Sequence, residues 1–142
     1  MKDKGVFVDT NILIYAHDLD AKEKHTLAKE KLVYLWKSEL VPSISIQVLQ
    51  EFYVNLIKKD ISLKIARETI TNYLEWNVIP NGEDLLLEGI RIKEHWKLSF
   101  WDALIIAAAK AAEVEVIWSE DLSPCQEYEG IQVVNPLDSR PA

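Results

Sequence analysis

Four acidic residues lie where predicted helices and strands begin or end, and they are spread over most of the 142-residue chain: Asp9, Glu51, Asp102 and Asp121. Acids at such borders can converge in space while lying far apart in sequence. Carboxylates that converge repel one another, which raises their pKa values unless a cation lies between them. Carboxylate oxygens are also preferred ligands of hard divalent cations. The pattern therefore predicts a divalent-metal site.

Short apolar runs alternate with helical patterns along the chain. The predicted strands are residues 6–8, 76–79, 114–118 and 130–135, with residues 40–44 as a further strand or its exit loop. One predicted helix directly follows Asp9, and five more cover residues 22–37, 46–58, 65–74, 85–96 and 100–112. This alternation predicts an α/β sandwich with a mostly parallel sheet. The length suits a single domain over residues 1–142.

The predicted sheet brings the acids to one edge. In open parallel sheets, ligands bind beyond the carboxyl ends of the strands, where the strand order reverses. Asp9 follows the first predicted strand, and Asp121 follows the strand that ends at Trp118. If those strands are neighbours, both acids face the same crevice. The helix that carries Asp102 in its first turn leads into the second of these strands, so its N-terminus lies at the same edge.

Structural roles compete with metal ligation at Asp9 and Asp102. Asp9 suits a helix cap, although Asp9, Thr10 and Asn11 together exceed what one cap requires. Asp102 has capping-box spacing from Ser99, and a negative charge suits a helix N-terminus. The helix it begins is apolar on nearly every side, so we expect a buried carboxylate that needs a cation or hydrogen-bond donors.

The other two acids carry weaker local signals. Glu51 lies away from the apolar arc of its predicted helix, which favours an ordinary solvated side chain. Asp121 follows a strand, but the adjacent Glu120 competes for its role. At Glu51 and Asp121 the local pattern leaves open whether the acid is a metal ligand or an ordinary surface residue.

Composition limits the classes of protein. The net charge of −7 opposes a general nucleic-acid coat protein, unless metal ions neutralise part of the acidity. The single cysteine, Cys125, excludes an internal disulfide and favours a cytoplasmic location. The first apolar run is too short for a signal peptide, and no run reaches membrane-spanning length. Three histidines and Cys125 lack partners for nucleophilic catalysis, and tryptophans are more typical of cores and interfaces than of base-stacking sites.

Four segments in order give the chain a resemblance to PIN-domain proteins, and in particular to the toxin ribonucleases of VapBC toxin–antitoxin systems. Each segment carries one of the four acids. They are Val6-Phe7-Val8-Asp9-Thr10-Asn11-Ile12-Leu13, Ser45-Ile46-Gln47-Val48-Leu49-Gln50-Glu51-Phe52, Phe100-Trp101-Asp102-Ala103-Leu104-Ile105 and Ser119-Glu120-Asp121-Leu122. Any one segment is a weak signal, but the ordered set is specific.

The resemblance implies a three-layer α/β/α sandwich with a five-stranded mostly parallel sheet and a metal-dependent endoribonuclease activity on RNA. It implies one or two Mg²⁺ or Mn²⁺ ions and selects Asp121 over Glu120. The implied catalytic and metal-binding residues are Asp9, Glu51, Asp102 and Asp121, with Asn11 and Ser119 in supporting polar positions. It also implies a small antitoxin partner and a homodimer.

Three alternatives remain open at this point. A PIN-domain nuclease can process RNA without an antitoxin. A haloacid-dehalogenase-like phosphatase also begins with a strand and an aspartate, but it requires a second aspartate where this chain has Asn11. A non-catalytic interaction module would use the acids as helix caps alone.

Overall fold

A computed structural model describes residues 5–123 and 126–138 of the chain. The strands are β1 (Val6–Val8), β2 (Ser43–Ser45), β3 (Asn77–Ile79), β4 (Val116–Trp118), β5 (Glu127–Tyr128) and β6 (Ile131–Val134). The helices are α1 (Thr10–His17), α2 (Glu23–Trp36), α3 (Ile46–Lys58), α4 (Leu63–Tyr73), α5 (Glu83–Trp96) and α6 (Phe100–Ala111). A 3₁₀ turn, Leu19–Ala21, joins α1 to α2.

The strands form one sheet in the order β3-β2-β1-β4-β6-β5, and every pair is parallel except β5–β6. The predicted α/β fold with a mostly parallel sheet is confirmed. Strands β1 to β4 and β6 supply the five parallel strands, and the two-residue β5 adds a sixth at the edge. It pairs antiparallel because Glu129 and Gly130 both have positive φ, 53° and 82°, which suits a tight hairpin turn.

The connections place helices on both faces of the sheet. From β1 the chain passes to β2 and then to β3 in one direction, and from β3 it returns past β1 to β4. Since parallel crossovers are right-handed, α1 to α4 cover one face while α5 and α6 cover the other. The direction of travel reverses between β1 and β4. This reversal creates the crevice in which an open parallel sheet binds its ligands.

Serine side chains fix the starts of three helices. Ser45, Ser62 and Ser99 accept hydrogen bonds from the backbone N–H three residues later, at 3.2, 3.2 and 3.1 Å respectively. Each bond satisfies a donor that the first helical turn leaves without a partner. The cap that the spacing predicts at Ser99 is therefore present, and the caps at Ser45 and Ser99 fix the helices that carry Glu51 and Asp102.

Helix α6 is the most deeply packed helix of the chain. Residues 103–109 are all buried, because α6 lies between α5 and the sheet. Gly89 of α5 permits the close approach, since a Cβ atom there would lie 2.7 Å from Leu104 Cδ2. Within the described ranges, no helix combines the length and apolar character that crossing a bilayer requires.

Candidate active site

Asp9 lies at the reversal point of the sheet. Val8 pairs with Trp118 across β1 and β4, and the Asp9 N–H donates to the Trp118 carbonyl at 2.9 Å. Asp9 is 6% exposed, and its carboxylate accepts a 2.7 Å hydrogen bond from the Thr10 N–H at the start of α1. The strands that precede Asp9 and Asp121 are thus neighbours, which meets the condition for both acids to face the same crevice. Asp9 therefore caps α1 and also lines the crevice.

Ser119 connects Asp9 to the loop after β4. Its hydroxyl is fully buried and donates to Asp9 Oδ2 at 2.8 Å. Ser119 Oγ also accepts hydrogen bonds from the backbone N–H groups of Asp121 and Leu122, both at 3.1 Å. This hydroxyl therefore orients one carboxylate and fixes the backbone that carries another.

Replacing Ser119 with alanine should destabilise the protein by about 3 kcal/mol, because it removes a bond to a carboxylate and leaves two N–H groups without their acceptor. It should also raise the pKa of Asp9 further, since the lost bond favours the ionised form. Urea unfolding at neutral pH measures the loss. Ser62→Ala is the matched control, because it removes one exposed capping bond and should cost about 1 kcal/mol. Equal losses in the two variants would contradict the connecting role of Ser119.

Thr10 and Asn11 each hold one of the other acids. The Thr10 hydroxyl donates to Glu51 Oε1 at 2.6 Å, and Asn11 Nδ2 donates to Asp121 Oδ2 at 2.6 Å. Glu51 is exposed, but this bond turns it toward the crevice rather than leaving it free in solvent. The role of Thr10 was missed in the sequence. Its signal was the run of three cap-forming residues, of which one serves the cap and two serve the acids.

Asp102 occupies the first turn of α6 and is half-buried, directly before the buried residues 103–109. The expectation of a buried carboxylate is met only in part, because the helix begins at the crevice and its fully covered stretch starts after Asp102. No residue in the described ranges donates a hydrogen bond to the Asp102 carboxylate. Burial is the main cause that raises the pKa of Asp121, and the negative charge of Asp102 adds to this rise.

The side chains of Glu120 and Asp121 lie in different surroundings. Glu120 accepts a hydrogen bond from the Tyr15 hydroxyl at 2.6 Å and forms an ion pair with Lys24 at 2.7 Å. Partial burial opposes ionisation of Glu120, but these two partners outweigh it and lower the pKa. Asp121 lies instead among the other acids. The structure therefore separates two adjacent acids that the sequence pattern alone did not.

All four predicted acids line one cavity of about 190 Å³, together with Thr10, Asn11, Ile14, Gln47, Trp101 and Ile105. Burial raises the pKa of Asp9 to about 6 against the hydrogen bonds from Ser119 and Thr10, and the charges of Asp121 and Glu51 add to the rise. Burial also raises the pKa of Asp121, and the charges of Asp102 and Glu120 add to that rise. A cation among these carboxylates would relieve the repulsion.

The donor chemistry of the cavity fits a hard divalent cation, because the acids supply oxygen ligands. Across residues 5–123 and 126–138, no three acidic, histidine or cysteine side chains already form a complete set of metal ligands. Thr10 and Asn11 each hold an oxygen of one acid, and Ser119 holds Asp9. The cavity thus brings the candidate ligands together with the side chains that hydrogen-bond to them.

Gln47 is a second residue that sequence reasoning missed. It lies one helical turn before Glu51, is buried, and lines the cavity. Its Nε2 donates to the Trp101 carbonyl at 3.4 Å, and its Oε1 accepts no hydrogen bond from any residue that the structure describes. The spacing of four residues from Glu51 was the available signal, since such residues share a helix face.

The histidines lie outside the carboxylate cavity. His17 contacts the Tyr73 hydroxyl at 2.8 Å, His25 contacts the Tyr15 carbonyl at 3.0 Å, and His95 packs edge-on against Trp96. Cys125 lies outside the described residues. Within the described residues, the chemistry of the cavity therefore rests on carboxylates rather than on a histidine base.

Comparison with known proteins identifies relatives of the whole fold. A family model described as the PIN domain matches residues 6–126. A chain of a toxin–antitoxin complex from Klebsiella pneumoniae is similar, with a TM-score of 0.70 and 24% identity over 93% of this chain and 98% of that one. The Mycobacterium tuberculosis toxin VapC20, described as cleaving the sarcin–ricin loop, has a TM-score of 0.63 and 21% identity over 82% and 92% of the two chains. No curated protein sequence gives a significant match.

Proposed function

We propose, from the premise that the chain belongs to the PIN domain family, that it is a metal-dependent endoribonuclease that hydrolyses RNA phosphodiester bonds. The observation that carries the proposal is the convergence of Asp9, Glu51, Asp102 and Asp121 on one cavity at the reversal point of the sheet. A phosphatase of the haloacid-dehalogenase type is disfavoured, because Asn11 is an amide that binds Asp121 rather than a second acid.

Asp9 and Asp102 would be the principal ligands of Mg²⁺ or Mn²⁺, with Glu51 and Asp121 binding directly or through water. One or two bound ions would supply an activated water, stabilise charge on the phosphoryl oxygens and assist the leaving oxygen. Asp9 is held ready for ligation by Ser119 and the Thr10 N–H. Within the described residues, Asp102 carries no such bond.

The remaining cavity residues orient the acids and limit the access of water. Thr10 holds Glu51 and Asn11 holds Asp121, each through a bond of 2.6 Å. Fixing these side chains before substrate binds reduces the reorganisation needed during the reaction. Ile14 and Ile105 supply apolar wall to the same cavity, and apolar surroundings strengthen electrostatic interactions there.

We further propose that the protein is the toxin of a type II toxin–antitoxin pair and acts in the cytoplasm. Support comes from the similarity in fold to a chain of a toxin–antitoxin complex and to VapC20. The net charge of −7 and the acidic cavity would complement a basic segment of a small antitoxin. A homodimer is part of the same proposal. Purification as an isolated monomer with unregulated activity would contradict the toxin assignment without affecting the nuclease proposal.

Incubation of the protein with total RNA tests the nuclease proposal. Cleavage should require Mg²⁺ or Mn²⁺, stop on addition of EDTA and resume when the ion is restored in excess. Because water rather than the RNA 2′-hydroxyl is the proposed nucleophile, a substrate with one 2′-deoxynucleotide at a mapped cut site should still be cleaved there. Hydrolysis of a small phosphate ester without RNA cleavage would instead support a phosphatase.

A further inference from the structure

Trp101 stands out among the five tryptophans of the chain. Trp101 is 61% exposed, whereas Trp36 is 45% exposed and packs against Tyr73 and Trp76. Trp96 donates to Glu129, so its indole is already engaged. Within the described residues, the Trp101 indole makes no hydrogen bond, and its ring contact is with Phe100, at 5.3 Å between centroids. An apolar ring of this size has much surface left to bury.

The position of Trp101 connects it to the proposed chemistry. It directly precedes Asp102 and lines the same cavity as the four acids. A phosphodiester bond held at these acids carries a nucleoside on each side. A base adjoining the bond is tethered through one sugar, so it remains close to the rim where the indole lies.

The indole is presented from a fixed piece of backbone. Ser99 caps the start of α6 by accepting the Asp102 N–H at 3.1 Å, and Gln47 of α3 donates to the Trp101 carbonyl at 3.4 Å. A tryptophan side chain has only two rotatable bonds. Little conformational freedom is therefore lost when a flat ligand stacks on it.

Charge favours a nucleobase as the ligand. The cavity lining contains four acids and no lysine or arginine among the described residues, so phosphate neutralisation by basic side chains contributes no affinity there. Stacking on an aromatic ring is independent of phosphate charge, because every base has a flat π face. An acidic nuclease site thus gains affinity from a contact that its charge does not oppose.

We propose that Trp101 is a stacking platform for an unpaired nucleobase adjoining the bond that is cut. The inference rests on the proposed nuclease function and adds to it a substrate-binding residue. A double substitution, one in the protein and one in the RNA, isolates the contact. The substrates are a short single-stranded RNA with one mapped cut site and versions with an abasic nucleotide on either side of that site.

Trp101→Ala should raise KM by roughly 5- to 150-fold with little change in kcat. One abasic position should cost the wild-type enzyme a similar factor and cost Trp101→Ala almost nothing further. Trp101→Phe should recover part of the loss. Tyr34→Ala is the matched control, because Tyr34 is 68% exposed and lies on α2 outside the cavity lining, and it should behave as wild type. Additive losses, or a Trp101→Ala defect confined to kcat, would overturn the stacking role.

A binding measurement separates failure of this inference from failure of the proposed function. Fluorescence anisotropy of the labelled RNA is measured with Ca²⁺ in place of Mg²⁺ for the wild type, Trp101→Ala and Tyr34→Ala. If the wild type cleaves RNA and Trp101→Ala has unchanged binding and KM, the stacking role is overturned and the nuclease proposal stands. Binding weakened by Trp101→Ala without any cleavage in Mg²⁺ or Mn²⁺ would support stacking and overturn the nuclease. Absence of both RNA binding and cleavage would overturn both.

Discussion

Asp9→Asn should lower the rate of RNA cleavage by roughly three orders of magnitude, because it removes a principal carboxylate from a metal site that supplies several kcal/mol of transition-state stabilisation. The fold should survive. Asparagine caps helices as well as aspartate does, so the Thr10 N–H keeps an acceptor at the start of α1. Single-turnover cleavage of an RNA with a mapped cut site, in saturating Mn²⁺, measures the change in rate.

Asp60→Asn is the matched control for this experiment. Asp60 is exposed, lies outside the cavity lining and has a φ of 60°, a conformation that asparagine also tolerates. Its replacement should leave the cleavage rate within about twofold, the size expected of a neutral surface change. A variant of Asp9 that retains wild-type activity would contradict the metal-ligand role, whatever its effect on stability.

Metal-free wild-type protein should lose stability as the pH rises from about 4 to 6, and Asp9→Asn should lose less, because only the raised pKa of Asp121 still acts in that direction among the cavity acids. Burial raises the folded-state pKa of Asp9 to about 6, against an ordinary aspartate value of 3.8. Between these values the folded state binds more protons than the unfolded state, so the free energy of unfolding falls as the pH rises. The difference of about two pH units corresponds to about 3 kcal/mol.

Urea unfolding in EDTA at several pH values between 4 and 8 measures this difference. Asp9→Asn should lose about 1 kcal/mol from its weakened bond to Ser119, but it avoids the buried charge, so it should become the more stable protein above pH 6. Glu88 and Glu129 have pKa values lowered to about 2, by hydrogen bonds led by Arg91 and Trp96 respectively. The stability they add begins to fall as the pH drops below the ordinary glutamate value of 4.5, but it falls equally in both proteins and leaves the difference between the two curves unchanged. Parallel curves for the wild type and Asp9→Asn would disprove the linkage.

Addition of Mn²⁺ at pH 7.5 should reverse the order of stability. An ion that binds the folded state at 100 times its dissociation constant adds about 2.7 kcal/mol. The wild type should gain this stabilisation, and Asp9→Asn should gain much less because it lacks a principal ligand. Thermal melting with and without Mn²⁺ measures both gains. Equal gains would place the bound ion elsewhere on the protein.

The sequence by itself determined the local features of this protein. Alternating apolar runs and helical patterns predicted the α/β fold, because burial in a parallel sheet and on a helix face imposes different periodicities. Ser45 and Ser99 marked helix starts through the donors that every first turn leaves unpaired. The ordered motifs selected the four acids, and the structure brings all of them to one cavity.

Other features depended on contacts between residues far apart in the chain, which only the tertiary structure decided. The pairing of Val8 with Trp118 places β1 beside β4, and strand order is not encoded in the local period of either strand. Thr10 hydrogen-bonds to Glu51, whereas Tyr15 and Lys24 bind Glu120 on a side away from the cavity that Asp121 lines. Packing sets these side-chain directions. Trp101 matched the pattern of a core tryptophan, because exposure depends on where the covering elements end. Its helix is covered only beyond its first turn, and this geometry leaves the indole at the rim of the acidic cavity.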